Sequence, residues 1–350
     1  MKTKYIIMYA CIFFFSCKGE NKGGFSVSTI NEVSFDKVDT LYFVDSVSTS
    51  QAFYMNGWKI LDSMVVVRAS RAEKILYVYS YPKFKFLYSF GEIGRASGEF
   101  LTHNWCVTKE KNLVSLYDIM KSSLYTYSVG NEQMTIHESY SLSKDEDGVC
   151  RPYTRILQLN DSLFLMKEDG DETNLHFVNM KKGDILATYH CGLRDGKKNS
   201  YTPFDYDFNI VDNRVLLAYN YIQRMELLSI TPNGQLIPQV FIGDDDLGEL
   251  PQNYDELPNV WLEICSDEHY FYCLRSDGGL EVGSNVYVWD ADGNPVRRIV
   301  LDRQINSIQI DKEGRLVAYQ EVDNGSLFYI YEEFYKLKYC STVVYMVPRA

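Results

Sequence analysis

The stretch VYVWDADGNPVRRIVL, residues 286–301, decides the fold. Val286 to Asp290 mixes β-branched and aromatic residues, Asp292-Gly293-Asn294 supplies a tight turn, and Val296 to Leu301 resumes an apolar β run. Strand, turn and strand in that order predict an antiparallel hairpin. Just upstream, Val260–Cys265 and Tyr270–Arg275 are two more runs of the same kind, so four β runs fall between residues 260 and 301.

The same unit recurs along the chain. Ile156–Leu159, Ser162–Lys167, Leu175–Asn179 and Ile185–His190 make one copy; Phe208–Val211, Arg214–Tyr219, Arg224–Ile230 and Leu236–Ile242 make another. Earlier copies show Met64–Ala69, Ile75–Tyr81 and Phe84–Phe90, then Trp105–Val107, Leu113–Asp118 and Ser123–Val129. A sixth copy opens with Ile305–Ile310 and Leu316–Gln320. Asn160-Asp161, Asp212-Asn213, Pro232-Asn233-Gly234 and Lys312-Glu313-Gly314 punctuate the runs as turns. Four-stranded units of this period cannot bury both faces alone, so the sequence predicts an all-β, six-bladed β-propeller of antiparallel four-stranded blades. The 28 Tyr, 19 Phe and 4 Trp among 350 residues fit half-buried strands and are expected to pack between blades. Two runs compete to close the ring against the last blade: Thr29–Phe43 and Ser341–Val347.

Two passages resemble the six-bladed, TolB-like propeller lipoproteins of Bacteroidetes-type bacteria. FGEIGRASGEF (Phe90–Phe100) is similar to the NHL-like blade junction F-G-x-x-G-x-G-P-G-E-F, with Ala96-Ser97 where that pattern has Gly-Pro. Val286–Arg298, followed by Leu301-Asp302 and Ile308–Asp311, resembles that family's strand, turn, strand and blade crossing. The resemblance implies a propeller on a lipid anchor and transfers no catalytic residue.

The chain begins as an address. Lys2 and Lys4 precede an apolar run from Tyr5 to Phe15, too short for a membrane span and of the size of a signal-peptide core. Phe14-Phe15-Ser16-Cys17 resembles a lipobox, whose Cys takes acyl chains and becomes the mature N-terminus. Lys18 stands where an Asp would signal inner-membrane retention, so an outer-membrane lipoprotein is expected, its leaflet left open. The expected organisation is a signal peptide over 1–16, lipidated Cys17 with a polar tether over 17–26, and one propeller over 27–350. The partner this implies is the lipid membrane, reached through acylated Cys17.

Composition removes several function classes. Formal net charge is −12, which repels a polyphosphate backbone, so no nucleic-acid partner is expected. The five histidines, His103, His137, His176, His190 and His269, never stand at H-x-x-x-H spacing, and neither a metal nor another cofactor is expected. The glycines of 91–98 lie between strands without a following helix, so they do not form a phosphate cradle. Gly243–Glu249 and Asp169–Glu172 are acidic without EF-hand spacing, and no G-x-S-x-G is present. Cys265 and Cys273 flank a hairpin turn and read either as a disulfide or as two buried thiols.

Propeller geometry brings inner strands and the loops entering them to one axial mouth. Arg95 and His103, then Arg151, Tyr153 and Arg155, then Tyr201, Asp205, Tyr206 and Asp207, and finally Trp261 are expected there as ligand-binding residues. Arginine with aromatic rings suits a glycan, a peptide or an envelope protein partner. The competing arrangement pairs Arg151 or Arg155 with Asp205 or Asp207 between blades and leaves the aromatics as filler. The functional expectation is a membrane-anchored, extracytoplasmic binding or scaffolding propeller. The alternative is a propeller enzyme, a lactonase-like hydrolase or polysaccharide lyase, acting at the mouth.

Overall fold

The computed structural model describes residues 27–333 apart from 32, 50–54, 71, 97, 109–111, 143–150, 169–173, 192–204, 244–256 and 324. The described residues form strands and turns, with no helix among them. Three strands come first: β1 (Ser28–Ile30), β2 (Val38–Leu41) and β3 (Phe43–Thr49). Blade one is β4 (Met55–Ile60), β5 (Met64–Ala69), β6 (Leu76–Ser80) and β7 (Phe86–Phe90). Blade two is β8 (Asn104–Thr108), β9 (Leu113–Asp118), β10 (Ser123–Val129) and β11 (Met134–Ser141). Blade three is β12 (Tyr153–Gln158), β13 (Leu163–Glu168), β14 (Asn174–Asn179) and β15 (Asp184–His190). Blade four is β16 (Tyr206–Val211), β17 (Arg214–Tyr219), β18 (Arg224–Ile230) and β19 (Leu236–Gly243). Blade five is β20 (Trp261–Ser266), β21 (Tyr270–Arg275), β22 (Gly283–Asp290) and β23 (Pro295–Ile305). Blade six has β24 (Ser307–Ile310), β25 (Arg315–Val322) and β26 (Gly325–Glu333).

The burial pattern follows from stacking blade on blade. Second strands such as β5, MVVVRA, and β17, RVLLAY, are covered on both faces by neighbouring blades and read as continuous apolar runs. The outer strand β15 keeps a solvent face, and most of its side chains are exposed. This contrast explains the strands that the sequence did not announce. β11, MTIHESYS, is an outer strand with too few apolar residues to stand out. β4, MNGWKI, is interrupted by Gly57, whose φ of 120° and position against the Trp105 ring suit glycine alone.

The buried apolar side chains divide into six clusters, one at each junction between successive blades. Val66, Val78, Trp105 and Leu116 join blades one and two. Tyr117, Tyr153 and Phe164 join two and three, and Leu165, Phe177, Phe208 and Leu217 join three and four. Leu216, Met225, Phe271 and Trp289 follow, then Val286, Ile299, Ile308 and Tyr329. The sixth, with Trp58, Val65, Tyr79, Val317 and Phe328, brings the last blade against the first and completes the ring. Phe84 stacks on Phe328 there at 4.3 Å between ring centroids, and the Trp58 ring meets Phe328 edge-on at 5.3 Å. The high aromatic content is therefore inter-blade packing, as expected.

Closure uses the N-terminal segment, but not over the whole expected run. β3 pairs antiparallel with β26, Thr49 opposite Ser326 and Phe43 opposite Tyr331, and supplies the missing outer strand of blade six. The preceding residues do something else: β1 adds in parallel to β19 and β2 to β23, as fifth strands on blades four and five. The segment thus runs along the rim past blades four, five and six before entering blade one. Ser341–Val347 lies outside the described residues.

Candidate functional site

Antiparallel blades sort their connections onto two faces. One face carries tight turns, among them Asp212-Asn213, 231–235, 291–294 and 311–314. These turns use their carboxylates on their own backbone: Asp290 accepts from the amides of Asp292 at 3.0 Å and Asn294 at 2.8 Å. The opposite face is where the long connections 91–103, 142–152, 191–205 and 244–260 begin and end. The first of these is built around Phe100, which is buried and whose amide donates to the Glu92 carbonyl at 2.8 Å. The Glu99 carboxylate accepts the Ala96 amide at 2.8 Å, and any side chain at Gly94 would collide with that carboxylate. The FGEIGRASGEF motif is thus a folded junction between blades one and two.

The six inner strands, β4, β8, β12, β16, β20 and β24, surround the axis, and a polar chain links most of them. Arg155 of β12 ion-pairs with Asp207 of β16, Nε to Oδ1 at 2.9 Å, while the other Asp207 oxygen accepts the Ile264 amide of β20 at 3.2 Å. Glu263 of β20 accepts the Ile308 amide of β24 at 2.7 Å. Trp58 Nε1 of β4 donates to Ser307 Oγ of β24 at 2.6 Å. Lys59 of β4 then donates to the Thr108 carbonyl at 2.7 Å and the Leu113 carbonyl at 3.0 Å in blade two. β8 and β12 pair directly in parallel, Cys106 opposite Ile156. Burial pushes the Glu263 carboxyl up to about 7; the nearby Asp207 charge adds to this, against hydrogen bonds from Ser307 and Ile308 and the Arg155 charge.

Of the ten expected ligand residues, the structure brings Arg155 and Asp207 together at the axis, as the inter-blade ion pair that the competing arrangement described. Arg151 turns instead to Glu168, Nη1 to Oε2 at 3.0 Å, and His176 Nε2 meets the same carboxylate at 2.7 Å. Burial alone would raise the Glu168 carboxyl, but the His176 hydrogen bond and the Arg151 charge outweigh it and hold the group below its ordinary value. Asp205 pairs with Lys167, which also donates to the Tyr206 carbonyl at 3.1 Å. Tyr153, Tyr206 and Trp261 do not line the mouth: they are 2%, 1% and 4% exposed. Tyr153 packs on Tyr117 and His176, Tyr206 on Tyr219, and Trp261 edge-on against Tyr287. Aromatic rings flanking an inner strand fill the wedge between blades, and the sequence pattern does not separate that position from the mouth. Arg95 is exposed on the 91–103 connection and His103 stands at its end, before β8; Tyr201 lies outside the described residues.

Sequence reasoning missed Glu263, Lys167 and Arg68. The signal was present in each case, since a charge interrupting an otherwise apolar run, as in MVVVRA, LFLMKE or WLEICS, marks a charge held among apolar neighbours. The described cysteines, Cys106, Cys191, Cys265 and Cys273, are free and buried. Cys265 lies opposite Tyr272 and Cys273 opposite Ile264, so the two thiols point to opposite faces of blade five and cannot bridge. Burial pushes the Cys106 and Cys191 thiols up to about 12. Cys17 and Cys150 lie outside the described residues.

Solved structures resemble this one to differing degrees. A crystal structure of a protein from Bacteroides fragilis NCTC 9343, described there as exported, superposes with a TM-score of 0.55 at 12% identity, covering 88% of this chain and 99% of that one. The β-propeller domain of Myceliophteria thermophila Cps50 (Swd1) gives 0.48 at 7% identity, over 83% of this chain and 99% of that one. BamB from Moraxella catarrhalis gives 0.43 at 10% identity, with the same two coverages. No curated protein matches the sequence. The sequence model of the TolB-like 6-blade propeller-like family matches residues 42–255, more than half of the chain, and with six blades and six inter-blade cores in place the chain belongs to that family.

Proposed function

We propose that this propeller is an envelope-anchored binding or scaffolding protein, held to a membrane by acylated Cys17, that engages a glycan, a peptide or a partner protein with the face bearing the long connections. The observation that carries this reading is the asymmetry of the two faces. One is closed by tight turns that satisfy their own backbone, whereas 91–103, 142–152, 191–205 and 244–260 all begin and end on the other. On a rigid scaffold, recognition concentrates in such loops. The inner-strand charges are already engaged between blades, so the axis acts as a fastening for the ring and the loop face is left to meet a ligand. The test replaces 245–255 with a Gly/Ser linker in one variant and the tight turn 231–235 in another, then screens both and the parent against envelope glycans and peptides. Binding lost with the first change and kept with the second supports the reading; the reverse overturns it.

A second reading, the lactonase-like hydrolase or polysaccharide lyase, is favoured by one observation. A carboxyl that titrates near 7, as Glu263 does beside Arg155 and Asp207, is matched to proton transfer at neutral pH. Turnover of a lactone or a uronate polymer that disappears in Glu263→Gln is the result that would decide for it.

A further inference from the structure

Arg68 ends β5 at the face of the long connections, partly buried in the seam between blades one and two. Its Nε donates to the Asn56 carbonyl at 2.7 Å, and its Nη1 donates to the His103 carbonyl. Both acceptors are neutral. Among the described residues no carboxylate pairs with it, and burial alone lowers the guanidinium to about 10. Several other enclosed basic groups carry a carboxylate partner: Arg151 has Glu168, Arg155 has Asp207, Lys167 has Asp205, Arg224 has Glu226 and Arg315 has Asp311. A cation taken out of water without an anion is costly, so its retention calls for a counter-charge.

A second unpartnered group lies beside it. His103 Nδ1 is buried and has no hydrogen-bond partner among the described residues. Burial, and then the Arg68 charge, lower the imidazole, which is therefore neutral at pH 7. The nearby Asp118 is committed elsewhere: its carboxylate accepts the Leu101 amide at 2.8 Å, the Thr102 hydroxyl at 2.9 Å and the Lys121 amide at 3.2 Å.

We propose that Arg68 and His103 form a monoanion site at the seam of blades one and two, taking the carboxylate of an acidic sugar or of a peptide terminus. Arg68 presents five N–H donors in a planar fork, and the two carbonyls occupy only part of it, leaving donors for a planar carboxylate. The ring of His103 adds one more hydrogen bond. One guanidinium beside a neutral imidazole, in a chain of net charge −12, suits one negative charge and disfavours a dianion. This inference rests on the loop-face reading above and names the chemistry of its ligand.

The test uses the mature chain carrying Cys17→Ser and calorimetric titration at fixed ionic strength with three probes: sodium glucuronate, N-acetyl-glycylglycine and inorganic phosphate. At least one carboxylate should bind, phosphate should bind more weakly, and the stronger of the two carboxylates identifies the source. Arg68→Lys keeps the charge and loses the fork, and should weaken binding by about tenfold or more, the worth of one charge-assisted hydrogen bond. His103→Asn leaves the carbonyl clamp untouched and should also weaken binding, so the proposal stays testable if the Arg68 variant does not fold. Absence of carboxylate binding by the parent chain, indifference to both variants, or tighter binding of phosphate overturns it. Binding that emerges only in Asp145→Asn/Glu146→Gln/Asp147→Asn also overturns it, by assigning Arg68 to an internal ion pair. If loop replacement abolishes glycan or peptide binding while the carboxylates never bind, this inference fails alone; carboxylate binding with no effect of loop replacement overturns only the broader reading.

Discussion

The Tyr81 hydroxyl donates to Asp311 Oδ2 at 2.6 Å, joining the first blade to the sixth across 230 residues of sequence. Asp311 belongs to the tight turn between β24 and β25, and its carboxylate also accepts the Arg315 amide at 2.8 Å and the Arg315 Nε at 2.7 Å. Burial and the adjacent carboxylate keep the Tyr81 phenol protonated far above its ordinary range. One aspartate therefore folds its own turn and fastens the seam of the ring.

Removing the hydroxyl should loosen that seam. Tyr81→Phe is expected to lower stability by about 1–2 kcal/mol, one hydrogen bond plus an unsatisfied acceptor. Asp311→Ala should cost more, about 3 kcal/mol, because it strips the turn of its acceptor as well. Urea denaturation of the single and double variants checks this, and the two losses should fall short of adding up, as expected for contacting residues.

Arg155 and Asp207 should behave as a pair. Either Arg155→Met or Asp207→Leu alone leaves a charge near the axis without its partner, at about 2–3 kcal/mol, moderated by the partial exposure of both side chains. The double variant Arg155→Met/Asp207→Leu should be less destabilised than the two single effects combined. A thermodynamic cycle showing simple additivity would contradict the ion pair as a stabilising unit.

Glu263 predicts an unusual pH dependence. Its folded carboxyl titrates at about 7, above the ordinary 4.5, so the folded chain holds a proton that the unfolded chain releases. Stability is then highest below the ordinary value, falls as pH rises from about 4.5 to 7, and stays reduced above. Glu263→Gln should remove that slope and raise stability at pH 8 by roughly 2 kcal/mol. Melting curves between pH 4.5 and 8.5 make the comparison; an unchanged slope in the variant would assign the effect to other groups.

The rim segment should divide into dispensable and required parts. Deleting 27–42 removes β1 and β2, which only add to complete blades, and should leave a cooperatively folded ring with a lower melting temperature. Deleting 27–50 also removes β3 and exposes the β26 edge, and should abolish cooperative unfolding or cause aggregation. Size-exclusion chromatography and calorimetry distinguish the two.

Cys17→Ala should release the mature chain from the membrane fraction and eliminate incorporation of labelled lipid. Retention in that fraction without label would point to another means of attachment.

The blade pattern was legible because it is local. Strand runs, turn residues such as Asp292-Gly293-Asn294, and continuous apolar second strands follow from side-chain alternation and from being covered on both faces. The strands that escaped notice, β4 and β11, are those where a glycine or a solvent face erased that pattern. The number of blades and the role of the aromatics therefore came from the sequence alone.

Which charges meet was settled by ring closure. Arg151 and Arg155 stand four residues apart and looked equivalent, yet alternation and the neighbouring inner strand send Arg155 to Asp207, while Arg151, ahead of β12, turns to Glu168. Closure likewise brought Tyr81 to Asp311 and placed Arg68 against the carbonyls of Asn56 and His103. No local pattern contains these meetings, because they depend on how six blades share one axis, and that geometry exists only when β3 has paired with β26.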